Sequence, residues 1–299
     1  EPRPCILTMV RMQGLGSEHT QVLINGQPIY SGLASVYGLE QIGTGDVDRI
    51  EVIKGAGSAL YGSSAIAGAI NIITKEPTPV PHISADIQFG NFQSNVYNFS
   101  SSMRNEGGNI GLSIYAQKID HGVIDETGEG DTLEEVKRKD GISDRVASNL
   151  HNIGASLFID NPFFGHDKLV FRGKAINEKR EGGIITDDYY KNPFTDGTEN
   201  ITTNRYELEA NYTKTINKKV DLSFTNTFIN HNREATNDSY LLSYLETHNN
   251  ETPNVLDMRP YLAKENSLIS TLTLGTTFGD HHLLFGLQNY LTRLNESGM

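Results

Sequence analysis

Asp46–Lys75 reads DVDRIEVIKGAGSALYGSSAIAGAINIITK, and the fold of the chain follows from what this stretch is joined to. Val47, Ile50, Val52 and Ile53 interleave with Asp48, Arg49, Glu51 and Lys54, the alternation of a half-buried strand. A small-residue turn follows, then a short helical piece around Ser58–Tyr61 and a second apolar run from Ile66 to Ile73. Gly57–Gly62 has the G-x-x-x-x-G frame of a phosphate loop, but Ser63 stands where that loop needs a lysine to reach the phosphates. The Gly55-x-Gly57 pair lacks the third glycine of a dinucleotide fold, because Leu60 occupies its place. The glycines therefore read as tight turns and close backbone approach.

Upstream, Arg11–Tyr30 reads RMQGLGSEHTQVLINGQPIY. Asn25-Gly26 separates two extended runs, and both residues tolerate the positive φ of a two-residue hairpin turn. Ser31–Gly45 is a polar, glycine-dotted loop carrying Tyr37 and Glu40, and Pro77, Pro79 and Pro81 close the region. Four blocks then stand in order: Gln21–Gly26, Asp48–Gly55, Ser58–Gly62 and Ala69–Lys75. Together they resemble the plug domain of TonB-dependent outer-membrane receptors, in the cobalamin and siderophore branches. The resemblance covers about residues 11–77. It implies a mixed α+β plug over residues 1–80, lodged in an antiparallel transmembrane β-barrel that begins in residues 81–299. It also implies TonB as energy-coupling partner, a scarce metal chelate as extracellular ligand, and the outer membrane of a Gram-negative bacterium as location.

Composition is compatible with that expectation and narrows the alternatives. A net charge of −12 leaves no basic stripe to neutralise nucleic-acid phosphates. No apolar run approaches the length of about 18 residues that a spanning helix needs, while barrel strands alternate and average to a hydrophilic score. The single Cys5 excludes an intramolecular disulfide and a Cys-based metal site. The chain opens on Glu1 without an initiator methionine or signal peptide and closes on Ser297-Gly298-Met299, so both ends are expected to continue in a longer protein.

The remaining residues can be read for strands independently of the resemblance. Alternation marks His82–Gly90, Asn95–Met103, Asn109–Ile119, Ile153–Asp160, Lys168–Lys179, Asn204–Thr215, Val220–Asn230, Leu268–Phe278 and His282–Thr292. In Asn204–Thr215, Tyr206, Leu208, Ala210 and Tyr212 alternate with Arg205, Glu207, Glu209 and Asn211, which suits lipid on one side and a polar lumen on the other. A soluble β-sandwich would show the same alternation, so the links decide more. After the first hairpin they alternate between short (Asn105–Gly108, Asn161–Asp167, Ile216–Lys219, Gly279–His281) and long (Asp120–Leu150, Arg180–Thr203, Glu234–Ser267). Short periplasmic turns facing long extracellular loops are a barrel signature. About nine strands are read, whereas a barrel around a plug has about 22, so the chain is expected to hold only the opening part of the barrel.

No catalytic arrangement appears: the histidines are scattered and no G-x-S-x-G element occurs. The resemblance instead implies ligand contacts at the plug apex, where Ser17, Glu18, His19, Tyr30 and Tyr37 are the candidates. In the long loops, Tyr189, Tyr190, Tyr240 and Tyr244 either enclose a ligand or form an interfacial girdle. Arg49 and Glu51 share one strand face; the resemblance implies that they lock the plug to charges on the wall, and a local pair within the plug is the alternative. Asp125, Glu126, Glu129 and Asp131 repel one another unless solvated or bridged by calcium, although the order of a dedicated calcium loop is missing. The readings outside active uptake are a passive outer-membrane porin or adhesin, and a soluble β-rich binding protein.

Overall fold

The structure, a computed structural model, describes residues 12–16, 19–29, 41–55, 65–126, 141, 143–163, 165–183, 198–237 and 260–297. They form two sheets. The first comprises β1 (Thr20–Ile24), β2 (Gln27–Pro28), β3 (Val47–Lys54) and β4 (Gly68–Thr74), in the order β2-β1-β4-β3. The second is a meander of nine strands, each hydrogen-bonded to the next in sequence. Its strands are β5 (His82–Phe89), β6 (Asn95–Arg104), β7 (Ile110–His121), β8 (Ala147–Asp160), β9 (Asp167–Gly183), β10 (Thr198–Asn217), β11 (Val220–Asn237), β12 (Tyr261–Phe278) and β13 (His281–Ser297). This is the plug followed by antiparallel barrel strands that the sequence implies. The helical piece expected at Ser58–Tyr61 lies outside the described residues.

In the small sheet, Asn25 and Gly26 take φ of 51° and 78°, the two positive values of the hairpin turn joining β1 to β2. The turn is then tied to the motif stretch. Gly26 N donates to Asn71 Oδ1 at 2.9 Å, Thr74 N donates to Asn25 Oδ1 at 3.0 Å, and Asn71 Nδ2 donates to Glu51 Oε2 at 3.2 Å. Asn71 thereby joins three of the four sequence blocks. β4 lies central, parallel to β1 and antiparallel to β3, so its two neighbours consume its backbone groups. Gly68 opens β4 at φ 149°, and a Cβ there would stand 2.3 Å from the carbonyl oxygen of Ile53, so only glycine lets β3 and β4 close. Leu23, Ala65 and Ala69, with Ile53 packed against them, form a core of mostly small residues.

The large sheet is inside out relative to a soluble protein. On β10, Arg205 is 2% exposed while its neighbours Tyr206 and Leu208 are 53% and 62% exposed. Ser113 and Gln117 on β7, Asn152 and Ser156 on β8, Thr225 and Thr227 on β11, and Glu265 and Ser267 on β12 are buried. Ile110, Leu112, Ile153, Phe171, Phe224, Phe228, Leu268 and Leu272 face outward. Polar residues are mostly exposed in soluble proteins and apolar ones buried. Reversal along strand after strand fits a wall between hydrocarbon and a filled polar lumen.

The strands run further than hydropathy suggests. β8 starts at Ala147 rather than Ile153, β10 at Thr198 rather than Asn204, and β12 at Tyr261 rather than Leu268; β11 continues to Asn237 rather than ending at Asn230. Each extension is on the long-link side and is largely polar, as in Thr198–Thr203. Beyond the bilayer a strand needs backbone pairing but no apolar face, so alternation marks only the length that meets lipid.

Placing a charge on that face tests the orientation. Leu208→Arg is expected to destabilise the intact protein by about 2–4 kcal/mol in bilayers, the cost of arginine near the membrane midplane. Leu208→Phe should be nearly neutral, with reversible denaturant unfolding from vesicles as the measurement.

Candidate functional site: the plug–wall interface

Among the described residues, the plug meets the wall chiefly through Gln41–Asp46, immediately before β3. Gln41 is buried and engages β8 and β9 together: its Nε2 donates to Glu178 Oε2 at 2.8 Å, and its carbonyl accepts from Asn152 Nδ2 at 3.0 Å. Thr44 begins a single 3-10 turn, Thr44–Asp46, and its hydroxyl accepts from Gln117 Nε2 of β7 at 3.2 Å. Between these contacts the Tyr115 ring fills a slot. A Cβ on Gly154, its cross-strand partner, would lie 2.4 Å from the ring, and one on Gly43 of the plug would lie 3.0 Å from it. The ring thus rests on one glycine of the wall and supports one of the plug.

Above this contact the wall carries alternating charge. Arg172 pairs with Glu209 across β9 and β10, Arg205 Nε lies 2.7 Å from Glu207 Oε1, and Arg180 Nη1 lies 3.2 Å from Glu178 Oε1. Lys174 is the direct cross-strand neighbour of Glu207. Arg172, Lys174, Arg205, Glu207 and Glu209, with the plug residues Ile24, Ile42, Asp46, Val47 and Ile72, line a cavity of about 90 Å³. Asp46 is the carboxylate that the plug brings to it. Burial pushes its pKa up to about 6, while Arg172, Lys75 and Lys174 pull it down. On the other side of the plug, Thr271 of β12 donates to Gln27 Oε1 at 3.1 Å.

Of the sequence-predicted residues, Arg49 and Glu51 are on the edge strand β3. Arg49 Nε donates to Glu51 Oε1 at 2.9 Å and Arg49 Nη1 to Asp48 Oδ2 at 3.1 Å, all three side chains being substantially exposed. These hydrogen bonds raise the Arg49 pKa further. The pair is held within the plug, through Glu51 to Asn71. His19 sits at the start of β1, its carbonyl accepting from Ala67 N at 2.9 Å. Ser17, Glu18, Tyr30, Tyr37, Tyr189, Tyr190, Tyr240 and Tyr244 lie outside the described residues.

In the acidic stretch, Asp125 Oδ2 accepts from Gly141 N at 3.2 Å, and Glu126 N donates to Asp144 Oδ2 at 2.7 Å. Among the described residues no three His, Cys, Asp or Glu side chains gather as a metal donor set. Glu129 and Asp131 lie outside them. The Asp125 and Asp144 carboxylates are thus each engaged by a backbone N–H group.

Sequence reasoning missed Gln41, Asp46, Arg172, Lys174 and Glu207 as a group. The signal was available in part: Arg205, Glu207 and Glu209, at alternate positions of Asn204–Thr215, mark a lumen face. Which plug residue meets them is a matter of tertiary placement.

Known proteins agree with this architecture. The TonB-dependent receptor plug domain profile matches residues 5–69. The ferric enterobactin receptor PirA of Pseudomonas aeruginosa is 40% identical over 79 residues, covering 23% of this chain and 11% of that protein. The vitamin B12 transporter BtuB of Photobacterium profundum is 45% identical over 67 residues, covering 22% and 11%. The ferric yersiniabactin uptake receptor FyuA of Yersinia pestis superposes with a TM-score of 0.68 at 14% identity, over 98% of this chain and 44% of that one. A mutant ferric enterobactin receptor (PfeA) of P. aeruginosa gives 0.71 at 16% identity, over 94% and 42%. The chain thus spans less than half the length of these two solved receptors and about a ninth of the two curated relatives. Residues 5–69 match a TonB-dependent receptor plug domain, and the chain as a whole shares the fold of the plug and barrel strands of solved receptors.

Two measurements test the interface. Gly154→Val should drive the Tyr115 ring toward Gly43 and weaken plug seating by about 1–3 kcal/mol, the usual cost of overpacking. It would be read as faster hydrogen exchange in Gln41–Asp46 with wall strands unchanged. Because the folded-state pKa of Asp46 is raised, the protonated form favours the folded plug. That contribution is complete below the unfolded value of about 3.9 and is lost as pH rises through about 6. Plug stability should therefore fall between those pH values, and Asp46→Asn should flatten the slope.

Proposed function

We propose that this chain serves active, TonB-dependent uptake of a scarce metal chelate, a ferric siderophore, heme or cobalamin, across a Gram-negative outer membrane. The observation that carries this reading is a plug domain seated on the polar face of an inside-out sheet. A passive pore has no use for a folded domain bonded across β7, β8, β9 and β12. The names of the similar proteins, ferric enterobactin receptors and a vitamin B12 transporter, point to the same ligand class.

In this reading the ligand binds the long loops and the plug apex around Ser17, Glu18, His19, Tyr30 and Tyr37, with Tyr189, Tyr190, Tyr240 and Tyr244 enclosing it. TonB, driven by the inner-membrane proton gradient, pulls on the plug and opens a path. The chain's own part is to bind, to seal and to yield; the energy comes from the partner. The mixed bonding of the plug suits that task. Its described contacts with the wall at Gln27 and Gln41–Asp46 are single polar bonds rather than a continuous apolar core, so they can be broken one at a time and remade. The exposed edge strand β3 offers Arg49 and Glu51 as further contacts to the wall.

Deleting the gene and growing cells on defined iron, heme or cobalamin sources tests the reading. One chelate should cease to support growth, both in the deletion strain and in a strain lacking TonB. Uptake that persists without TonB would favour the passive pore instead.

A further inference from the structure

The segment that joins β4 to β5, residues 75–81, is mostly exposed, with Pro77 as its buried residue. Pro77 sits in a socket built from the lumen face of the wall at its short-turn rim. Gly111 of β7 forms the notch: a Cβ there would lie 2.5 Å from Pro77 Cγ and 3.2 Å from Arg104 Cγ. Gly111 is the cross-strand partner of Arg104 on one side and of Phe158 on the other. Phe158 is fully buried, with the Lys168 ammonium 5.3 Å above its ring.

Arg104 closes the socket. Its side chain is 11% exposed, and its guanidinium makes bonds in several directions. Nε donates to the Pro77 carbonyl at 2.6 Å and Nη1 to the Gly108 carbonyl at 3.0 Å, while Nη1 also pairs with Asp160. Nη2 lies 4.0 Å from Glu76 Oε2, and Lys168 Nζ donates to the same carboxylate oxygen at 2.5 Å. Three wall strands thus grip two consecutive residues of the connecting segment. Arginine suits this point because its fixed fork of donors reaches several acceptors at once, which a lysine cannot do. A solvated tether would need neither a glycine notch nor an arginine drawn largely out of solvent.

We infer that this socket retains the plug, with Arg104 as its positioning residue. Pro77 in the Gly111 notch fixes the exit of the plug to the barrel rim, so a pull rearranges the plug inside the lumen and does not draw it out. The retention role rests on the uptake reading above; the grip itself does not.

Hydrogen exchange on the intact receptor in detergent tests the grip through the amides of Lys75, Glu76, Thr78 and Val80. Arg104→Ala and Gly111→Ala should each speed exchange there at least tenfold while β6–β8 keep wild-type protection. Arg104→Lys, which keeps a charge but loses the fork, should restore part of the protection. In cells, the two alanine variants should admit a large glycopeptide antibiotic when TonB is present and less of it when TonB is absent. Exchange unchanged in both alanine variants, or raised equally throughout the wall strands, overturns the socket. An antibiotic leak that is absent or independent of TonB, with faster exchange in the linker, overturns retention and leaves the grip standing. If the uptake reading alone is wrong, wild-type cells show no chelate-dependent growth, yet the exchange difference persists.

Discussion

The structure depends on one constraint: a sheet with hydrocarbon on one side must satisfy every backbone group internally and keep its polar side chains on the other side. In the nine-stranded meander β6–β12 meet the first demand by pairing with both neighbours in sequence, while β5 and β13 pair on one side. The sheet meets the second through buried Arg205 and half-buried Glu207 and Glu209 behind exposed Tyr206 and Leu208. Such a polar face is expensive to bury against anything that cannot answer it. The plug answers with polar atoms of its own, including the Gln41 amide, the Thr44 hydroxyl and the Asp46 carboxylate.

This division explains why the two sheets are built so differently. The plug sheet has a small apolar core and is held by side-chain to backbone bonds among its own motif residues, with Asn71 at their centre. It is internally coherent without the wall. The interface between them is polar, with glycines at Gly43, Gly111 and Gly154 where plug or linker comes closest to wall residues or a wall ring crosses its neighbour. Two regions of contact differ in character here. At Gln41–Asp46 single hydrogen bonds predominate, whereas at Glu76–Pro77 a largely buried arginine and a seated ring combine.

The similar proteins place the fold firmly, and the identity to the solved receptors is low, at 14–16% for the two described. Barrel walls can diverge that far because lipid asks only for an apolar face and the lumen only for a polar one. Over stretches of 79 and 67 residues the chain is 40% and 45% identical to two relatives. In the plug sheet, Asn25, Gly26, Gly68 and Asn71 each answer a specific backbone need.

Much of this was legible in the sequence by itself. The Asn25-Gly26 turn, the strands on either side of the glycine segment, the nine alternating runs and the short–long rhythm of their links all come from local chemistry, which neighbouring residues suffice to express. The full length of the strands was not legible, because polar extensions such as Thr198–Thr203 carry no hydropathy signal once clear of lipid. Nor could the sequence show that Asp46 faces Arg172 and Lys174, that Gln41 bridges β8 and β9, or that Arg104 grips Pro77. Those pairs lie from 27 to 137 residues apart, and their partners are chosen by how the plug sits in the lumen. Arg49 and Glu51 show the difference most plainly: their shared face was readable from a spacing of two. That they bond to each other and onward to Asn71 was decided by the tertiary fold, which brings β4 alongside β3.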